Sequence, residues 1–482
     1  TALWVCILLG CAKQPAPTAA KAKQTIPPPS GKLLFGGDAR AWVGSLGNMQ
    51  DQNYCRARLK LPLNPNPAWQ YEYTSAEFSG AAPTAILHFD GKLMVSALSP
   101  QLMQLDAASG KVLVNRDFYE RDSRSNQTES FSHMYLSPTG RLVANDNTNR
   151  FYCFALDGLE RLWTIRTQGG MENEASPIVS DTERIYTTWG YPATWNVHGV
   201  DIETGAEEWM YPHAAEFVGG VTLSRSGVML CFARPNELRA LSAADGMPIW
   251  TVAAGAHVQL APIDEARQTV HLLLEDETLE CRRLHDGALL WSYDWSNVLP
   301  RELRGPLAEK TGLAKIGYRN IELRDTGYCI GPDGSYLSAL NGHVLHFSPE
   351  GKLLWTAKLG TVMGTIVLFD NALLATQFFA HPITSDPRES DAFNQVVPEW
   401  KQVTPADTTK HASGVIPDRQ AWCRISALDL RSGAMLSSME PTTLANSNIC
   451  PAGSKVIFGG FANGGSRRRT PKYISAYEWL EP

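Results

Sequence analysis

Asp201-Ile-Glu-Thr-Gly205-Ala-Glu-Glu-Trp209 places a turn ending in glycine, then three residues, then a tryptophan. The same spacing returns at Asp245-Gly246 to Trp250, Asp286-Gly287 to Trp291 and Glu350-Gly351 to Trp355; Asp157-Gly158 to Trp163 carries one extra residue. Two further copies keep the turn and lose the indole, Asp106 to Gly110 leading to Val114 and Asp429 to Gly433 leading to Ser437. An eighth mark, Trp69, has no such turn upstream of it. Successive marks lie 45, 49, 46, 41, 41, 64 and 82 residues apart, so the basic period is 41–49 with two enlarged units. A period of this size signals a repeat architecture, and it has to be recognised before any division into domains.

Within each unit a common order holds. An apolar run (Ala82–Leu87, Ser176–Val179, Ala261–Ile263) is followed by a turn and a second run (KLMVSAL, RIYTTW, TVHLLL, SYLSAL), and a third run enters the glycine–tryptophan turn. Short runs rich in β-branched and aromatic residues, bounded by turn residues, read as strands. No stretch of 12 or more residues carries helical periodicity. Four short antiparallel strands per unit, repeated eight times, predict an all-β chain folded as an eight-bladed β-propeller. Val114, Trp163, Trp209, Trp250, Trp291, Trp355, Ser437 and Trp69 mark the outer strands. The indoles provide apolar plates between neighbouring blades, and the glycine allows the tight turn. The last unit has runs at Lys455–Gly460 and Tyr473–Trp479 and then stops one strand short, so Pro67–Tyr73 is expected to supply its fourth strand and close the ring.

Composition agrees with a folded, turn-rich chain. Of 482 residues, 44% are hydrophobic and 19% charged, and 39 Gly and 30 Pro demand frequent turns. A formal charge of −6 offers no basic footprint for nucleic acid. The apolar run Ala2–Gly10 is too short to span a bilayer and leads through Leu8-Leu9-Gly10 to Cys11. A Pro/Ala/Lys-rich stretch follows, as in the end of a secretory signal. Leu8–Cys11 resembles a bacterial lipobox, which implies lipidation of Cys11 and a membrane anchor rather than a span. The expected organisation is therefore 1–11 signal end and lipobox, 12–32 flexible tether, and 33–482 one propeller domain with insertions at 115–133, 292–326 and 381–421. The seven cysteines beyond Cys11 match no zinc or haem spacing, and their odd number gives no disulfide framework.

The turn-plus-tryptophan pattern resembles the PQQ-like (quinoprotein alcohol-dehydrogenase-like) propeller repeat over roughly residues 33–482, and no Trp-Asp dipeptide of the WD40 kind ends the units. Quinoprotein dehydrogenases of this fold hold PQQ between a tryptophan and a disulfide of adjacent cysteines beside a calcium site, and this chain has no Cys-Cys pair. Asn145–Asn149 could offer oxygen ligands to calcium, yet an Asn/Asp hairpin tip is the more ordinary reading. Neither PQQ nor calcium thus has a ligand set here, and no HExxH, GxSxG or P-loop is present. By resemblance the nearest functional analogue is the propeller lipoprotein of the outer-membrane β-barrel assembly machine. This implies a non-catalytic interaction scaffold on the periplasmic side of the outer membrane or at the cell surface. A glycan-binding propeller and a PQQ-dependent oxidoreductase are the alternatives.

All long excursions fall between second and third strands or between blades, which open on one face of a propeller. Insertions concentrated on one face mark the binding side of a repeat protein, so a protein partner is expected there. The residues singled out on it are Trp189 and Trp195 in a further excursion, 189–198, Trp400 and His411 in the longest insertion, and the basic run Arg467, Arg468 and Arg469. Aromatic rims of this kind suit protein hot spots or sugar stacking.

Overall fold

The computed structural model describes residues 54–73, 83–97, 101–118, 131–146, 150–167, 179–191, 194–212, 217–233, 237–254, 258–260, 262–274, 278–295, 327–340, 343–359, 362–380, 421–443, 449–461 and 472–481. Among them every regular element longer than one residue is a β-strand. The strands form eight sheets in sequence order, antiparallel except where a short N-terminal strand joins blade 7: blades 1 to 7 span 83–117, 131–166, 179–212, 217–253, 258–294, 327–358 and 362–439. Blade 8 takes three strands from 450–477 and its fourth, Trp69–Glu72, from the other end of the chain, with Trp69 opposite Ala476 and Glu72 opposite Tyr473. All eight marks sit on outermost strands, and the ring closes as the repeat demands.

The tryptophan register has a specific physical basis. Each outer strand of blades 1 to 7 carries a β-bulge immediately before the mark: in blade 2, for example, Arg161 pairs with Phe154 and Trp163 with Cys153, leaving Leu162 between them. A bulge adds local twist and re-aims the next side chain, here turning the indole into the seam toward the following blade. Six indoles donate Nε1–H to a backbone carbonyl of the next blade's turn: Trp69 to Ala107 at 3.1 Å, Trp163 to Ile202 at 2.9 Å, Trp209 to Ala243 at 3.3 Å, Trp250 to Leu284 at 2.8 Å, Trp291 to Pro349 at 3.1 Å and Trp355 to Leu430 at 2.8 Å.

The glycine of that next turn lies flat on the indole. A Cβ added at Gly246 would stand 2.5 Å from the Trp209 ring, and one at Gly351 2.5 Å from Trp291. Glycine is therefore required twice at these positions, for its positive φ (71° at Gly246 and 81° at Gly351) and for the ring that covers it. The repeat's aspartate completes the turn: Asp201 Oδ1 accepts from Thr204 N at 2.8 Å and Thr204 Oγ1 at 2.7 Å. Glycine and tryptophan of one unit thus serve two different seams.

The two seams without an indole are closed by other means. Between blades 1 and 2, Gln104, the cross-strand partner of Val114, donates Nε2–H to Leu156 O at 3.1 Å, the carbonyl position an indole takes elsewhere. Between blades 7 and 8 the N-terminal segment fills the gap. Tyr54–Cys55 adds in parallel to Val362–Phe369, Leu59 is clamped by Asn371 through two hydrogen bonds of 2.8 and 3.0 Å, and Leu63 N donates to Ser437 Oγ at 3.0 Å. Trp479, fully buried, reaches Asn64 O with its Nε1–H at 2.8 Å.

Candidate interaction face

Strand alternation puts the first-to-second and third-to-fourth turns of all blades on one face, and within the described residues these turns are short. The links between blades and the second-to-third connections leave from the opposite face. The segment 381–420 departs from the second and third strands of blade 7, Ala372–Ala380 and Ala421–Asp429, which stay paired to their last residues, Ala380 opposite Ala421. The link after blade 5 departs beyond Trp295, and the first interblade link runs from Val112–Asp117 to Phe131–Leu136.

At blade 3 the structure departs from the sequence expectation. Residues 189–191 and 194–198 are not an inserted loop; they are the paired ends of two eight-residue strands, Arg184–Tyr191 and Thr194–Asp201, in register up to Tyr191 opposite Thr194. Trp189 is partly buried, with its ring 3.6 Å from that of His198 at 12° and 5.5 Å from Phe151 of blade 2. His198 bonds Glu207 Oε2 through Nδ1 at 2.7 Å. Burial lowers the His198 pKa, and Glu207 only partly offsets it. The cluster therefore fixes Trp189 against its own blade and its neighbour.

Trp195 contributes its backbone to the same hairpin, paired with Gly190. Cys11, Trp400, His411, Arg467, Arg468 and Arg469 lie outside the described residues. One feature of this face escaped the sequence reading: Phe118, at the end of blade 1, packs on Phe154 at 4.7 Å and Phe131 at 6.0 Å in blade 2. Its signal was an aromatic at the head of the 115–133 link.

A cofactor needs convergent donors. Among the described residues no group of three or more His, Cys, Asp or Glu could hold a metal. The seven described cysteines are buried and spread over the latch and six blades, and the docking indoles are committed to seams. The clamp that the PQQ-like resemblance implies is not assembled by these residues.

Solved structures with the same architecture include a europium-containing methanol dehydrogenase (8% identity, TM-score 0.60, covering 92% of this chain and 98% of that one). A quinohemoprotein alcohol dehydrogenase from Pseudomonas putida HK5 matches at 11% identity and TM-score 0.56 over 92% and 80%. A computationally designed protein, Ika8, matches at 12% and 0.54 over 84% and 99%. At such identities the likeness is one of fold. No curated protein matches the chain by sequence. The family model described as outer membrane protein assembly factor BamB matches residues 63–217 and 193–316, and, with more than half of its length so matched, the chain belongs to that family.

Proposed function

We propose that this protein is a non-catalytic scaffold of the bacterial cell envelope, a propeller that holds a protein partner on the face from which its long connections leave. The observation that carries this reading is membership of an assembly-factor family. One-sided elaboration supports it, because a ring with short turns on one face and extended segments on the other presents its variable surface in one direction only. No cofactor is part of the proposal. Anchoring through a lipid on Cys11 would tether the ring to a membrane by way of residues 12–32, and the described residues contain no helix long and apolar enough to cross one. Trp400, His411 and Arg467–Arg469, with Trp189 and Trp195, are the proposed contact residues.

The test is purification of the tagged full chain from its native membrane in mild detergent, with mass spectrometry of the retained proteins. A stoichiometric partner that is lost when 381–420 is excised supports the scaffold and its face; a clean monomer without partners overturns it. Radiolabelled palmitate incorporated by the wild type and not by Cys11→Ser supports the anchor, and equal labelling of both removes it.

A further inference from the structure

Blade 6 is held between two seams, and each of them buries an imidazole behind its docking indole. His271, on the second strand of blade 5, lies parallel to Tyr336 of blade 6 with ring centroids 4.6 Å apart, and 5.7 Å from the ring of Trp291. His346, on the third strand of blade 6, is the cross-strand partner of Trp355 and packs on its ring at 5.1 Å and 61°. All four ring nitrogens are buried and make no hydrogen bond, which holds for no other histidine among the described residues. His198 in blade 3 is the contrasting case, with the Glu207 carboxylate at hand for its proton. The groups that face His271 are Arg267 from the preceding turn, Asp264 paired with Arg267 at 3.4 Å, Cys281 opposite it in the ladder and Tyr336 across the seam. Burial raises the Cys281 pKa to about 12 and that of Tyr336 as well, so both stay neutral. Facing His346 are the Asp333 carboxylate, which accepts from Ser335 N at 3.0 Å, and Leu430 O of blade 7, which already accepts from Trp355 Nε1 at 2.8 Å.

We propose that blade 6 is an acid-released element of the ring, its two seams opening together when His271 and His346 take up protons while the other seams stay closed. Protonation gives each ring a second N–H donor and a unit charge. A buried charge without a partner is strongly destabilising, and parting the seam returns it to water. At His271 the new charge also faces the fixed charge of Arg267, which lies against Gly334 of blade 6. Burial lowers the pKa of both imidazoles, to about 3 at His271, with Asp333 offsetting part of the effect at His346. The closed seam therefore refuses a proton that the parted seam binds below about pH 6.5. Its stability is complete above that pH and is lost as pH falls toward the lowered values. Within this window the ratio of open to closed blade rises up to about tenfold per pH unit for one imidazole and about a hundredfold for two. The device rests on the two seams alone and is independent of the scaffold reading.

Hydrogen–deuterium exchange of the full chain between pH 7 and 5, read by peptide mass spectrometry and corrected for the intrinsic rate at each pH, tests the release. Protection of peptides from 327–358 is expected to fall by more than about tenfold relative to blade 2 peptides from 131–166. A parallel loss in the two blades overturns the proposal. In the double variant His271→Phe with His346→Phe the difference between the blades should no longer change with pH, and each single variant should keep about half of the logarithmic slope. An unaltered slope in the double variant assigns the release to other groups and overturns the switch. Should the variants fold poorly, wild-type thiols report on each seam. Cys281 pairs opposite both His271 and Trp291, Cys329 directs its Sγ to Ile366 O of blade 7 at 3.5 Å, and Cys153 directs its own to Ile202 O of blade 3 at 3.7 Å. Labelling with 4,4′-dithiodipyridine, which reacts with thiols in acid, should quicken at Cys281 and Cys329 relative to Cys153 as pH falls. An unchanged ratio overturns the release of blade 6.

Discussion

At the scale of single residues, two positions with the same backbone strain separate what a glycine does for its turn from what it does for its neighbour. Gly91 and Gly246 have φ values of 70° and 71°, but a Cβ at Gly91 meets nothing within 4 Å whereas one at Gly246 strikes the Trp209 ring. Gly91→Ala is expected to cost about 1–2 kcal/mol, the left-handed penalty alone. Gly246→Ala should cost clearly more, because the indole must also leave its seam. Urea midpoints of the two variants decide it, and equal losses would refute the docking argument. A second residue sets an acid limit. His271 is buried with its ring parallel to Tyr336 at 4.6 Å, and neither ring nitrogen has a hydrogen-bond partner among the described residues. Burial, with the Arg267 charge in support, lowers its pKa from 6.5 to about 3. The unfolded chain therefore binds a proton that the folded one refuses between those values. This contribution to stability is complete above pH 6.5 and is lost as pH falls toward 3, at up to about 1.4 kcal/mol per pH unit. His271→Phe should flatten that part of the stability curve between pH 6.5 and 4 and cost little at pH 7. A variant curve parallel to the wild type would show that His271 is not the group responsible.

Among strands, the bulge explains two facts that look unrelated. It turns each indole inward, and it leaves the preceding residue unpaired and facing out: Leu113, Leu162, Ile249, Leu290, Leu354 and Leu436 are 42–50% exposed in the same register. An outer strand is an unpaired sheet edge, and a bulge there obstructs edge-to-edge pairing. Adjacent residues should accordingly respond in opposite ways. Trp291→Ala is expected to cost about 3–5 kcal/mol through lost packing, whereas Leu290→Gln should stay within about 0.5 kcal/mol. Guanidinium titration of both variants measures this contrast, and a costly Leu290→Gln would mean that the exposed leucine has a partner. The turn-to-tryptophan spacing made the period, the blade count and the closing strand legible, because glycine and indole are each demanded by local chemistry. The bulge left no composition signal. The closure of the last seam by residues 54–66 could not be read either, since Cys55, Leu59 and Leu63 follow neither a period of 2 nor one of 3.6. At the face of the long connections, Trp189 was identifiable as an aromatic near a rim, but its stacking on His198 depends on a cross-strand register that the spacing of residues does not reveal.

For the whole molecule, the scaffold proposal places stability and binding in different parts of the ring. Each blade contacts mainly its neighbours, as repeat architectures do, and the docking seams between the described strands form a belt around the ring. Blade 7 makes this separable by experiment. Its second and third strands remain paired to Ala380 and Ala421, so the two ends are direct cross-strand neighbours. A two-residue Asn-Gly turn, the chemistry suited to a tight hairpin, can join them in place of 381–420 without altering a strand. Shortening a loop also lowers its closure entropy slightly. The excised protein is therefore expected to keep the wild-type β-sheet circular dichroism and a thermal midpoint equal to or slightly above the original. If the scaffold reading holds, the same protein retains no partner in detergent pull-downs. A cooperative transition with binding lost assigns the insertion to recognition. Collapse of the transition would instead place the segment in the fold, and unaltered binding would move the partner's footprint to another sector of the same face.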